Sequence, residues 1–127
     1  MIDASTLPPH LAAGQKGEDR ACRFLEQQGL QLITRNYSCR MGEIDLIMQD
    51  QRFLVFVEVR YRSSHVYGGS AMSVTRTKQQ KIIRAALFYL QQKRLYNKVP
   101  CRFDVLAITG EERVEWIKNA FQYQPKL

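Results

Sequence analysis

Residues 42–60 read GEIDLIMQDQRFLVFVEVR and contain two apolar runs separated by a short polar break. The second run, from Phe53 to Val59, is apolar at consecutive positions, which is typical of a strand covered on both faces. We therefore predict that it forms the central strand of a sheet. Asp50 and Gln51 predict a tight hairpin between the two strands.

Each run carries an acidic residue, Asp45 in the first and Glu58 in the second. Side chains alternate along a strand, so the first run is predicted to have two rows. One row holds Glu43, Asp45 and Ile47, and the other holds Ile44, Leu46 and Met48. The second run is predicted to place Phe56, Glu58 and Arg60 on one face.

The predicted hairpin brings Asp45 and Glu58 near one another across the ladder. Burying two ionised carboxylates is costly unless a cation or hydrogen-bond donors compensate their charge, so a hard divalent ion is a natural occupant. An alternative stays open at this point: Glu58 pairs with Arg60 or Arg62, and Asp45 caps a turn.

The pattern outward from this hairpin predicts two helices and five strands. The helices are predicted at about 11–28 and 76–94, and the strands at about 30–37, 43–48, 53–59, 101–108 and 114–117. The order α-β-β-β-α-β-β favours an α/β fold with one mixed sheet flanked by helices. Trp116 and Phe121 are predicted to belong to the core.

Charge is segregated along the chain, which has 19 Lys and Arg residues, 12 Asp and Glu residues and a formal net charge of +7. No acidic residue lies between Glu58 and Asp104, whereas Arg and Lys recur throughout that segment. This pattern favours a polyanionic partner such as nucleic acid. Lys78, Lys81 and Arg84 are predicted on the polar side of the second helix, where a merely solvated face is the alternative.

The length of 127 residues predicts one domain, which we place at 14–121 between an N-terminal tail (1–13) and a C-terminal tail (122–127). The three cysteines have no C-x-x-C spacing, which favours a reducing compartment. The first residues lack the pattern of a signal peptide, and no stretch is apolar enough to span a bilayer. We expect a cytoplasmic protein without membrane contact.

Several polar positions are ambiguous from the sequence. His10 and His65 are too isolated to predict a zinc site. The loop around 67–69 is either a plain turn or a segment that approaches nucleic acid. Glu43 and Asp104 either support a metal site or form structural pairs.

The motif GEIDLI followed by FVEVR resembles the PD-(D/E)XK, or restriction-endonuclease-like, nuclease superfamily. Gly17 with Glu18, the strand pair, the run SVTRTKQQK (73–81) and the strand RFDV (102–105) together resemble the YraN-like family of uncharacterised bacterial proteins. This similarity extends from about Gly14 to Phe121. Such proteins are similar to archaeal Holliday junction resolvases, which implies a restriction-endonuclease-like fold, a branched DNA substrate and a homodimer.

The resemblance implies roles for individual residues. Asp45 and Glu58 would hold Mg²⁺ or Mn²⁺, and Glu18 would complete the metal shell or bind its waters. Arg60 stands where the superfamily usually has a lysine, and it cannot be a general base because it is always protonated. It would instead steady the scissile phosphate, so that water activation falls to the metal. The expected nucleic-acid contacts are Arg62, Arg76, Lys78, Gln79, Lys81 and Arg84.

Two functions from different classes follow. The first is a magnesium-dependent endonuclease that hydrolyses DNA phosphodiester bonds at branched or recombination intermediates. The second is a nucleic-acid-binding module with a degenerate nuclease site, because Arg60 replaces the usual lysine. An RNA-directed nuclease or binder remains a third alternative.

Overall fold

The computed structural model describes residues 9–62, 74–109 and 113–123, with side chains described from residue 17 onward and up to residue 61 in the first range. The side chains of His10 and Arg62, all of His65, the loop at 67–69 and residues 110–112 between the last two predicted strands lie outside the described residues. So do most of the two predicted tails, and the domain limits of 14–121 stay a prediction.

Within these described ranges, two helices and five strands follow one another in the predicted order. They are α1 (Pro9–Gln27), β1 (Gln31–Cys39), β2 (Gly42–Asp50), β3 (Phe53–Arg62), α2 (Arg76–Gln92), β4 (Cys101–Thr109) and β5 (Arg113–Phe121). α1 begins earlier than predicted, with Pro9 at its first position, where a proline costs no helical hydrogen bond. β5 continues to Phe121, beyond the predicted end at Ile117. The sequence pattern misses this part because its residues are mostly exposed and do not alternate clearly.

The five strands form one sheet in the order β1-β2-β3-β4-β5. β3 pairs with β4 in parallel, and the other neighbouring pairs are antiparallel. A parallel pair needs a crossover connection, and the segment that contains α2 supplies it. The prediction of an α/β fold with a mixed sheet and β3 at its centre is therefore confirmed.

Each face of the sheet carries one helix over its own apolar core. α2 packs with Phe56, Phe103 and other aromatic and aliphatic side chains on one face. α1 packs with Val55, Val57 and Leu106 on the other. Trp116 and Phe121 are partly buried and pack against opposite cores, so both contribute to the core as predicted.

The predicted rows of β2 are wrong at its N-terminal end. Leu46 and Met48 lie in the core beside α1 and Ile47 in the core beside α2, but Ile44 joins Ile47. The change of face occurs around Asp45, where the ladder with β3 ends and where the facing strand β1 contains Asn36 with φ 54°. The strand period applies only while the ladder is regular.

The hairpin between β2 and β3 lies one residue later than predicted. Asp50 pairs with Phe53, so Gln51 and Arg52 form the turn, and Gln51 has φ 55°. Two-residue hairpins favour positive φ because this matches the twist of the strands. The later turn also shifts the register. Leu46 pairs with Val57, so Asp45 and Glu58 are the next positions along the two strands and lie near one another, as predicted.

Asp104 is a structural residue, which resolves one ambiguity of the sequence. Its side chain is 0% exposed and accepts hydrogen bonds from Arg102 Nε at 2.9 Å, from Trp116 Nε1 at 3.0 Å and from the backbone N–H of Asn119 at 2.9 Å. Arg102 also donates through Nη2 to Asp50 at 3.0 Å. The network joins β2, β4 and β5 through one buried carboxylate.

We predict that Asp104→Ala destabilises the protein by about 3–5 kcal/mol, because it leaves a partly buried guanidinium and two further donors without their acceptor. Urea denaturation measures the change. Glu115→Ala on β5 is the matched control, since the Glu115 side chain is 54% exposed and its loss should change stability by less than about 0.5 kcal/mol. A loss below about 1 kcal/mol for Asp104→Ala would contradict the structural role.

Candidate active site

The site begins where β2 and β3 part. Their ladder runs from Asp50 and Phe53 to Leu46 and Val57. Beyond it, the backbone N–H of Val59 donates to Asp45 Oδ2 at 2.8 Å. A side-chain carboxylate thus replaces a backbone carbonyl as the acceptor, which fixes Asp45 against β3. The alternative in which Asp45 caps a turn is wrong.

Asp45 and Glu58 lie side by side, as the hairpin register predicts. Burial raises the pKa of Asp45 to about 8, assisted by a hydrogen bond to Glu58 and by the negative charge of that residue. The Val59 N–H opposes this rise, and the charge of Glu18 adds a smaller upward shift. Without a bound metal ion, the Asp45 carboxyl group therefore keeps its proton near neutral pH and makes a hydrogen bond with Glu58.

Glu58 is paired with a residue of α2. Its side chain is only 5% exposed, and its Oε2 lies 2.9 Å from Lys78 Nζ. The sequence predicts Lys78 as a phosphate contact, whereas the structure turns its ammonium group towards the carboxyl pair. The register of a helix packed over a sheet decides which of its side chains reaches a given strand residue, and spacing alone does not reveal it.

The guanidinium group of Arg60 contains a buried donor. Its Nε atom is shielded from solvent and has no hydrogen-bond partner among the described residues. Arg60 lines a cavity of about 240 Å³ together with Glu58, Lys78 and their neighbours. A buried unpaired N–H is unfavourable, so an oxyanion that accepts from it would be stabilised there.

Glu18 stands beside the carboxyl pair. Burial raises its pKa, while a hydrogen bond with Asn36 and the positive charge of Arg35 act to lower it. Arg35 Nη2 lies 3.8 Å from Glu18 Oε1. Among residues 17–61, 74–109 and 113–123, no three His, Cys, Asp or Glu side chains are arranged as a metal site. The structure therefore joins Asp45 to Glu58 but leaves Glu18 with Arg35 and Asn36.

Sequence reasoning missed Asn36 and the packing of Gly17. Asn36 has φ 54°, a conformation that asparagine tolerates better than most residues, and its amide reaches Glu18. A Cβ at Gly17 would lie 3.2 Å from the ring of Tyr61, so glycine lets α1 approach the end of β3 closely. Neither contact leaves a periodic signal in the sequence.

The basic residues of α2 extend from this site along the helix. Arg76, Lys81 and Arg84 are exposed, and the helix sequence RTKQQKIIRAALFYLQQ contains no acidic residue. Gln79 differs, because its Nε2 donates to the backbone oxygen of Val74 at 2.8 Å and so stabilises the start of the helix. Of the predicted nucleic-acid contacts, Arg62 cannot be placed, since its side chain is outside the described residues.

The carboxyl pair fits a hard divalent cation. Mg²⁺ binds one or two carboxylates and completes its shell with waters and substrate phosphates, so Asp45 and Glu58 are a sufficient set of protein ligands. The proton on Asp45 and the ammonium group of Lys78 beside Glu58 already offset the negative charge of the pair. A cation is thus the kind of group that this cluster accommodates.

No helix within the described part of the chain is both long and apolar enough to cross a membrane.

The family profile and the similar proteins that match this chain all belong to one family. The profile of the uncharacterised protein family UPF0102 matches residues 17–108. A UPF0102 protein of Saccharophagus degradans is 54% identical over 112 residues, which cover 88% of this chain and 94% of that protein. A UPF0102 protein of Coxiella burnetii (strain RSA 331) is 48% identical over 111 residues, which cover 87% and 92%.

The pKa of Asp45 predicts how stability depends on pH in metal-free protein. The unfolded chain loses this proton near pH 4, but the folded protein keeps it to about pH 8. The contribution of protonated Asp45 to the free energy of unfolding is therefore fully present below pH 4. It is lost as the pH rises to 8, with a slope of up to about 1.4 kcal/mol per pH unit.

Asp45→Asn should flatten this dependence, because its neutral amide can still accept from Val59. We expect the metal-free variant to exceed the native protein in stability by at least about 1 kcal/mol at pH 8. Urea denaturation with a chelator at pH 5 and pH 8 measures the difference, and Glu115→Gln should retain the native profile. Equal slopes for native protein and Asp45→Asn would contradict the buried carboxyl pair.

Proposed function

The chain belongs to the uncharacterised protein family UPF0102, and we propose that it is a metal-dependent endonuclease that hydrolyses DNA phosphodiester bonds. One observation carries this proposal: the buried Glu58 and the partly buried Asp45 lie together at the start of a basic helix, beside an Arg60 donor that has no partner among the described residues. The resemblance of the motif to PD-(D/E)XK nucleases supports the same reaction.

Asp45 and Glu58 would hold Mg²⁺ or Mn²⁺. When bound, such an ion lowers the pKa of a coordinated water and offsets negative charge on the phosphate. The backbone N–H of Val59 keeps Asp45 in place. Glu18, whose charge acts on Asp45, would bind a water of the ion. Each of these groups has its position before any substrate arrives.

Arg60 would receive the scissile phosphate. Its Nε is a buried donor without a partner among the described residues, so an oxyanion that reaches it would satisfy it without breaking any of the contacts described. Arg60 does not take a proton from water, because a guanidinium is always protonated. Its role in the proposal is to stabilise the negative charge that develops during hydrolysis.

The substrate is proposed to be DNA, with a branched or recombination intermediate as the preferred form and a homodimer as the active assembly. The exposed cations of α2 would bind successive phosphates without reading the sequence of bases. The structure has three free cysteines, Cys22, Cys39 and Cys101, which supports a reducing site of action such as the cytoplasm.

A second function, a nucleic-acid-binding module without turnover, is favoured by a different contact. Lys78 neutralises Glu58 at 2.9 Å, so the site has an internal cation even without a metal. In this alternative, the basic helix binds DNA with the same salt dependence as in the proposed endonuclease, but the carboxyl pair has no chemical role.

The first prediction from this proposal concerns cleavage. With Mg²⁺ or Mn²⁺, the protein should nick labelled DNA, and a set of four-way junction, flap, single-stranded and linear duplex substrates should rank its preference. Asp45→Asn and Glu58→Gln should each reduce the rate more than about 100-fold, because each removes a metal ligand. An RNA strand in parallel tests the third alternative.

Glu115→Gln, purified in the same way, controls for contaminating nucleases and should cleave at the native rate. Cleavage that survives both Asp45→Asn and Glu58→Gln would refute the assignment. Salt-dependent DNA binding by native protein with no product from excess substrate would instead establish the module.

The second prediction separates chemistry from binding. Arg60→Gln should lower kcat by about 10²–10³-fold at saturating metal, since it removes a donor to the developing oxyanion. Arg84→Gln, on the exposed side of α2, should leave kcat unchanged but reduce the salt dependence of DNA affinity by about one phosphate contact. If both variants alter only affinity, Arg60 has no role in the chemical step; cleavage gained by Arg60→Lys would support the module.

A further inference from the structure

Lys78 is fixed at its backbone, whereas its side chain is half exposed and ends in the ion pair with Glu58. Thr75 Oγ1 accepts from the Lys78 backbone N–H at 3.2 Å, which fixes this residue in the first turn of α2. The side chain is 53% exposed, in contrast to the 5% of Glu58. The ammonium group therefore reaches a buried carboxylate from a solvated stem with four rotatable methylene groups.

In the proposed enzyme, two cations would compete for Glu58. Lys78 Nζ already lies 2.9 Å from Oε2, and the proposed metal ion needs the same carboxyl group. An ammonium group and a divalent cation at one carboxylate repel each other, and the repulsion is strong where water is excluded. One of the two cations is then displaced, and the half-exposed lysine can leave without being buried elsewhere.

The displaced ammonium group can move into the cavity that Arg60 lines. Lys78 and Arg60 both line it, so a phosphate that accepts from Arg60 also lies within the region that Lys78 reaches. Lysine binds phosphate as a compact point charge and does not need the fixed geometry of a guanidinium. Arg60 is the positioned donor, whereas Lys78 is the movable charge.

We propose that Lys78 and a divalent cation are alternative partners of Glu58, and that metal binding releases Lys78 to the phosphate of the substrate. The exchange at Glu58 depends only on the metal site, while the phosphate contact rests on the proposed function. In the metal-free protein, Lys78 thereby weakens metal binding. In the metal-bound protein, it supplies an additional positive charge that binds the phosphate.

A purely structural ion pair makes the opposite prediction for metal affinity. If Lys78 only stabilised the fold around Glu58, its removal would loosen the carboxyl pair and weaken metal binding. If Lys78 competes with the metal, its removal must tighten binding. Metal affinity measured without DNA therefore distinguishes the two roles by sign and does not depend on activity.

The test is calorimetric titration of Mn²⁺ into metal-free native protein, Lys78→Gln and Lys78→Met. Both variants should bind Mn²⁺ roughly tenfold more tightly than the native protein, and Lys78→Arg, which keeps the charge, should remain near the native value. Lys81→Gln is the matched control, since it removes an exposed charge from the same helix and should leave the affinity unchanged. Circular dichroism confirms that each variant is folded.

The phosphate contact is tested at saturating Mn²⁺, where Lys78→Gln should cleave DNA at least roughly tenfold more slowly than native protein despite its tighter metal site. Unchanged or weaker Mn²⁺ affinity in both neutral variants would overturn the exchange. Native cleavage rates in Lys78→Gln would overturn the phosphate contact. Tighter Mn²⁺ binding without cleavage by the native protein would overturn the proposed function but leave the exchange at Glu58 established.

Discussion

The hydrogen bond from the Val59 N–H to the Asp45 carboxylate is the contact on which the site depends. β2 and β3 form a regular ladder up to Leu46 and Val57, and this contact continues it with a side chain. The exchange of a carbonyl for a carboxylate brings Asp45 against Glu58, which follows the five apolar residues that begin the central strand. Two acidic groups are thus held together in a place where neither is fully solvated.

The surrounding structure is arranged around that unfavourable charge. α1 supplies Glu18 on one side, and Gly17 lets the helix pack closely on Tyr61. α2 covers the opposite face and extends Lys78 to Glu58. The distant network of Asp104 and Arg102 ties the strands together without sharing a residue with the site. Stability and proposed chemistry therefore rest on different buried carboxylates.

The sequence predicts the fold well because each element has a strong local signal. The two-sided apolar run of β3 identifies the central strand, and the short break before it predicts a hairpin that brings Asp45 near Glu58, although the turn lies one residue later than predicted. The predicted rows of β2 fail at Ile44, because a strand period carries no information on where a ladder ends. Asp104 is ambiguous in the sequence, since its partners Trp116 and Asn119 come from another strand.

The contacts of the site that cross between elements are the least predictable. The pairing of Lys78 with Glu58 depends on how α2 lies over the sheet, and the hydrogen bond between Asn36 and Glu18 depends on a positive φ in β1. Neither feature alters local periodicity or composition. The basic character of α2 is evident from the sequence, but the side chain that turns inward is not.

Anomalous diffraction from crystals soaked in Mn²⁺ would test the central claim most directly, because it locates the metal without reference to activity. We predict an anomalous peak beside the carboxyl groups of Asp45 and Glu58, and we expect the Lys78 ammonium group to be no longer paired with Glu58. A well-ordered site in which Lys78 remains paired with Glu58 and no peak lies between the two carboxyl groups at saturating Mn²⁺ would contradict the account.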